Sequence, residues 1–139
     1  MIEHVYRRAA SARNVDAVIV ATDDLRIADT VTRFGGDVRL TSAQHLTGTD
    51  RLAEVAAMLD CDLVVNVQGD EPLIEPDAID AAIEPFRDAD TLKMSTVCTR
   101  LPPTDRHAAE DPNVVKVVLD RRGFALYFWR SPIPHRRGP

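Results

Sequence analysis

The sequence predicts an α/β domain of three layers, a mostly parallel sheet with helices on both faces, and three observations carry that prediction. Short apolar runs of strand length at 17–21, 38–40 and 62–67 alternate with segments whose apolar residues recur at helical spacing. The run Asp62-Leu-Val-Val-Asn-Val67 is apolar without clear alternation, which suits a strand buried on both faces in the middle of the sheet. At its carboxyl end stand Gln68, Gly69, Asp70, Glu71 and Pro72, an amide, a hinge, two carboxylates and a ladder breaker. Open α/β sheets take their ligands at that end of their strands, so Asp70 is the leading site residue.

In chain order, Ile2, Val5, Tyr6, Ala9 and Ala10 form one side of an amphipathic helix that begins at Met1 with no strand before it. An α/β domain usually opens on a strand, so the chain starts where a second element would stand. Ala17 to Ala21 is a buried-type strand. Thr22-Asp23-Asp24 then offers capping oxygens to a helix marked by Leu25, Ile27, Ala28, Val31 and Phe34, which Gly35-Gly36 closes. After the strand 38–40, a polar loop from Thr41 to Asp50 leads to a helix with Leu52, Val55, Ala56 and Leu59 on its apolar side. Beyond the central run, Pro76 opens a helix striped by Ile79, Ala82, Ile83 and Phe86. Thr91 to Thr99 reads as a strand, and 104–111 shows no clear pattern. Val114 to Leu119 and Phe124 to Trp129 form an antiparallel hairpin about Asp120-Arg-Arg-Gly123, and residues 130–139 are expected to be extended or disordered.

Composition narrows the function. At 139 residues and 45% hydrophobic, the chain can bury one core, which predicts a single domain. A net charge of -5 offers no field to nucleic acid, so His135-Arg136-Arg137 reads as a solvated end. Cys61 and Cys98 lack the spacing of a metal or redox pair and fit buried free thiols in a reducing compartment. Neither a signal peptide nor a long apolar segment is present, which predicts a cytoplasmic protein without membrane contact. The four histidines show no zinc spacing, and a hydrolase elbow, a Walker loop and a Rossmann glycine fingerprint are all absent.

Four constellations remain, each with two readings. Asp70 and Glu71 beside Gly69 suit Mg²⁺, a hard cation that takes carboxylate oxygen and leaves other positions to phosphates and water, or they form a solvated turn. Thr47-Gly48-Thr49-Asp50-Arg51 suits a phosphate or a base edge, or else Thr49 or Asp50 simply caps the following helix. In Ala21-Thr22-Asp23-Asp24 the capping reading is favoured. Phe124, Tyr127, Phe128 and Trp129 form either core or half of a dimer contact.

Four blocks in one order then carry a resemblance. Ala21-Thr22-Asp23, Thr47-Gly-Thr-Asp-Arg-Leu-Ala-Glu-Val55, Val65-Asn-Val-Gln-Gly-Asp-Glu-Pro72 and Asn113-Val-Val-Lys-Val-Val-Leu-Asp120 with Ala125-Leu-Tyr-Phe128 resemble the 3-deoxy-manno-octulosonate cytidylyltransferases, also called CMP-Kdo synthetases. The similarity implies a Rossmann-like nucleotide-diphospho-sugar transferase fold and transfer of CMP from CTP to Kdo, giving CMP-Kdo and pyrophosphate for lipopolysaccharide assembly. It also implies that Asp70 binds Mg²⁺, that Gln68 lies at the sugar-acid site, that Gly48, Thr49 and Arg51 lie near the cytosine, and that the full protein is a homodimer. Members of the family open on a strand and an Arg- and Lys-bearing triphosphate loop, and they continue through a sugar-binding region with a second metal-binding aspartate. The chain corresponds to the stretch between these, an incomplete domain expected to be inactive by itself. A cytidylyltransferase for another sugar acid such as a sialic acid, and a truncated domain that binds or dimerises without catalysis, are the competing readings.

Overall fold

The computed structural model describes residues 1–102 and 104–134, which divide into two compact units, Met1–Val97 and Cys98–Pro139. Among the described residues no helix is long and apolar enough to cross a membrane.

The first unit opens on α1 (Ile2–Ala9), which buries Val5 and Ala9 and pairs Glu3 with Arg7 along its outer side. Next, β1 (Ile19–Thr22) and β2 (Asp37–Leu40) lie parallel, in a register that sets Ile19 opposite Asp37 and Thr22 opposite Leu40. The crossover between them is α2 (Leu25–Arg33). Its start is the predicted one, with the Asp24 side chain accepting the Arg26 N–H. It stops where the glycines begin: the Gly35 and Gly36 N–H groups donate to the Thr32 and Val31 carbonyls. Gly35 takes φ +79° to do so, a left-handed conformation open to glycine at little cost. Ala28 and Val31 of the predicted stripe are buried, whereas Leu25 and Ile27 are exposed.

Two further helices complete the unit, α3 (Gly48–Ala56) and α4 (Pro76–Ile83), the second opening on Pro76 as the sequence predicts and running into a short 3₁₀ turn, Glu84–Phe86. Ala9, Ala12 and Ile79 are the buried centre, with Val15, Val18, Val65, Val67, Ile74 and Ile83 packed around them. The buried Asp80 of α4 is satisfied within this core, because its carboxylate accepts the backbone N–H groups of Arg13 and Asn14 and the side chains of both. Burial works to raise its pKa, but those donors outweigh it and hold the group below the usual carboxylate range. The corner after α1 is thereby fastened to α4.

Two predicted strands are corrected. Among the described residues, neither 62–67 nor 91–99 joins a backbone ladder, and a strand needs a hydrogen-bonded neighbour as well as an apolar sequence. The central run is also not buried on both faces. Leu63, Val65 and Val67 turn inward, while Val64, Asn66 and Gln68 are exposed, so Asn66 was a genuine period-two signal.

The second unit holds α5 (Arg106–Glu110) and a hairpin of β3 (Lys116–Leu119) and β4 (Ala125–Trp129). The short helix lies where no pattern was predicted, although Asp105 caps it by accepting the Ala108 N–H. The hairpin is antiparallel as predicted, with a register shift between Val118 and Leu119. Its turn is held by the Asp120 carboxylate, which accepts the N–H groups of Arg122 and Phe124, and by Gly123 at φ +87°. Phe124, Tyr127, Phe128 and Trp129 are all exposed, which corrects the core reading: among the described residues of this unit the two-stranded ribbon has no second layer to cover it. The expectation of buried thiols also fails, since Cys61 and Cys98 are free and exposed. The basic group His135-Arg136-Arg137 lies outside the described residues.

Candidate active site

The candidate site of the first unit gathers three segments: the end of β1, the 41–51 loop with the start of α3, and the 68–75 loop. The first two meet because β1 and β2 are parallel and end side by side. The ladder continues one step past β2, with the Thr41 N–H donating to the Thr22 carbonyl, which brings Asp23 and Thr41 to the same edge. Arg51 reaches across from the first turns of α3 and donates from Nη1 to Thr41 Oγ1 at 2.5 Å, while Nη2 lies 3.0 Å from Asp23 Oδ1. One planar guanidinium thus ties together both strand ends and a helix, a fork geometry that a lysine ammonium cannot reproduce.

The helix that carries Arg51 is capped two to three residues earlier than expected. The N-cap is Thr47, whose Oγ1 accepts the Asp50 N–H at 3.1 Å and in turn donates to Asp50 Oδ2 at 2.6 Å. The reading that Thr49 or Asp50 caps α3 is corrected: Thr47 caps it, and Asp50, at the third helical position, returns the contact through its carboxylate to the Thr47 hydroxyl. Thr49 is left exposed on the first turn. Just upstream, His45 Nε2 contacts Glu54 Oε2, and the same carboxylate oxygen accepts the Ser42 N–H. These two partners hold Glu54 below the ordinary carboxylate range and fold the loop back on its own helix.

Gln68 and Gly48, predicted separately, are brought together. The Gln68 carboxamide lies over the first residue of α3, so that a Cβ at Gly48 would stand 3.7 Å from Oε1 and 3.8 Å from Nε2. The amide is oriented by its donation from Nε2 to Asn66 Oδ1 at 2.7 Å, two outward residues of one extended run. Asp70 and Glu71 follow in a tight turn closed by the Glu71 N–H on the Gln68 carbonyl. Both carboxylates are exposed. Among the described residues neither enters an ion pair, and no group of three or more metal-binding side chains exists.

Sequence reasoning missed three participants. Asp23 was read with the α2 cap, but Asp24 does the capping and Asp23 is free for Arg51; no local pattern announces a partner so far along the chain. Glu54 belonged to a quoted block without a role. Arg8 of α1 contacts the 73–75 segment, and there was a signal, because it lies three residues after Val5 and four before Ala12, on the edge of the buried stripe. In the second unit, the Lys116 ammonium is buried against the Asp111 and Val114 carbonyls at 2.8 Å each, so it is committed to the hairpin base.

Comparison with known proteins places the chain among its relatives. Curated relatives named 3-deoxy-manno-octulosonate cytidylyltransferase, from Syntrophotalea carbinolica and Geobacter metallireducens, are each 58% identical over 99% of this chain and 54% and 53% of their own length. A solved structure of CMP:2-keto-3-deoxy-manno-octonic acid synthetase complexed with CTP matches at a TM-score of 0.90 and 44% identity, over 98% of this chain and 55% of that one. The chain therefore spans about half the length of the curated relatives it matches. A family model described as cytidylyltransferase matches residues 1–138, and with that match running almost from end to end, the chain belongs to the cytidylyltransferase family.

Proposed function

We propose that the protein carrying this chain transfers CMP from CTP to Kdo, releasing pyrophosphate, as a cytoplasmic homodimeric enzyme of lipopolysaccharide synthesis. The observation that carries the reading is the seating of Gln68 over Gly48 beside an exposed Asp70 that enters no ion pair among the described residues, at the edge where an α/β sheet takes ligands. The name shared by the relatives favours Kdo over a sialic acid, and the family match favours an enzyme over an inert binding domain.

In this reading the first turn of α3, with Gly48 and Thr49, faces the cytosine, and Arg51 holds that turn against the strand ends through Asp23 and Thr41. The Gln68 amide orients the sugar acid by hydrogen bonding. An oxygen of the sugar acid attacks the α-phosphorus in line, and the bond to the pyrophosphate oxygen breaks. The donor set fits Mg²⁺ of the kind that arrives with a nucleotide: one or two hard carboxylate oxygens, here Asp70 with Glu71 beside it, and phosphates and water for the rest. Such an ion, when bound, offsets charge developing on the α-phosphate and the leaving group. The exposed aromatic residues of β4 supply an apolar surface suited to the homodimer contact.

The test is Asp70→Asn in the full-length protein, which keeps the shape and removes a carboxylate ligand. Turnover of CTP and Kdo is expected to fall by orders of magnitude at saturating Mg²⁺. Near-normal turnover would remove Asp70 from the mechanism.

A further inference from the structure

We propose that Arg8 is a positioning residue for the Asp70 loop, clamping its far end to α1; the proposal rests on the reading of Asp70 given above. The Arg8 guanidinium donates from Nε to the Ile74 carbonyl, reaches the Leu73 carbonyl from Nη2 at 3.5 Å, and pairs through Nη2 with Glu75 Oε1 at 2.7 Å. An ion pair with a side chain as exposed as Glu75 contributes little by itself. The two carbonyls are different in kind: they belong to consecutive residues, so gripping them fixes the course of the main chain and not merely a side chain. The Arg8 side chain is only 34% exposed, and it lies at the edge of the buried stripe of α1, which limits its freedom to swing away.

The near end of the same loop also rests on α1. A Cβ at Gly69 would stand 3.4 Å from Ile2 Cδ1, so the backbone there runs against the first residue of the helix. Between the two anchors lie consecutive turns, closed by the Glu71 N–H on the Gln68 carbonyl at 3.2 Å and the Ile74 N–H on the Glu71 carbonyl at 3.1 Å. Asp70 stands inside this span with no partner of its own among the described residues. Its carboxylate is thus aimed by the backbone alone, and the backbone is aimed by α1. Partners that orient a metal ligand typically govern its affinity by about 10- to 100-fold; Arg8 touches no atom of Asp70 and acts one step further back, by holding the main chain that carries it, although α1 carries none of the predicted site residues.

The experiment uses the full-length protein with Arg8→Met, Arg8→Lys and Asp70→Asn. Hydrogen exchange without metal or nucleotide is expected to quicken in the peptide spanning 69–75 in Arg8→Met, while peptides from β1, β2 and α3 stay as they were. The Mg²⁺ concentration for half-maximal turnover is expected to rise roughly tenfold or more, with a smaller change in KM for CTP. Arg8→Lys, which keeps the charge and loses the fork, is expected to lie between, and it decides the matter if Arg8→Met does not fold. Exchange that is unchanged at 69–75, or quickened throughout the unit with an unmoved Mg²⁺ midpoint, overturns the proposal. If Asp70→Asn retains turnover, the reading of Asp70 falls, while the exchange result still judges whether Arg8 holds the loop.

Discussion

A guanidinium already held by a carboxylate and a hydroxyl has little freedom left for a phosphate. Arg51 is offered by the sequence as a cation for the nucleotide, and the structure gives it Asp23 and Thr41 as partners, so its effect on CTP is expected to pass through the placement of α3. In the full-length protein, Arg51→Lys and Asp23→Asn are each expected to raise KM for CTP. The double variant is expected to be no worse than the more severe single one, with a coupling of about 0.5 kcal/mol or more. Fully additive effects in that cycle would mean that the two residues act separately. The residue types of this site were legible because amide, carboxylate and glycine crowd into a few positions after one apolar run. The pairing was not, because which carboxylate faces Arg51 is decided by two strands ending side by side, a tertiary fact.

Helix ends proved the most readable features among the elements. Asp24 before α2, Gly35-Gly36 after it and Pro76 at the start of α4 all act as their local chemistry requires, and the hairpin turn at Asp120 to Gly123 does likewise. Strands were harder, since 62–67 and 91–99 have suitable side chains and no ladder among the described residues, and pairing is a property of two segments. The α2 cap leads to a pH test. The Arg26 side chain first, and its backbone N–H second, hold Asp24 at about 2 against an ordinary value of 3.8. A depressed pKa contributes stability that is present above the ordinary value and is lost as pH falls through the folded one. Asp24→Asn keeps the acceptor and removes the charge, so urea denaturation of the full-length protein is expected to show wild type more stable at pH 6. That gap is expected to close as pH falls from 3.8 towards about 2. A gap independent of pH would mean that the charge of Asp24 contributes nothing.

For the chain as a whole, charge and exposure decide the behaviour of residues 1–139 expressed alone. The sequence is acidic at -5, and three cations that could have served a triphosphate are committed elsewhere: Arg8 to carbonyls, Arg51 to Asp23 and Lys116 to the hairpin base. A polyanion needs unengaged positive charge at close range. The unladdered backbone of 63–68 and the uncovered residues of β4 also offer surfaces for self-association. No CMP-Kdo formation is expected in a pyrophosphate-release assay of this polypeptide, and light scattering is expected to report aggregates or a loosely packed species. Turnover by a monodisperse monomer would show that the cations in this stretch suffice.

The two grips of α1 on the 69–75 loop also impose a ruler on the sequence. Ile2 and Arg8 are six residues apart, roughly 9 Å along a helix, and the loop must cover that distance with a fixed number of links. Replacing the exposed Leu73 leaves the count intact, whereas one inserted or deleted residue between Gly69 and Glu75 would pull either the glycine off Ile2 or the carbonyls off Arg8. The stretch is therefore open to a change of letter at Leu73 and closed to changes of length.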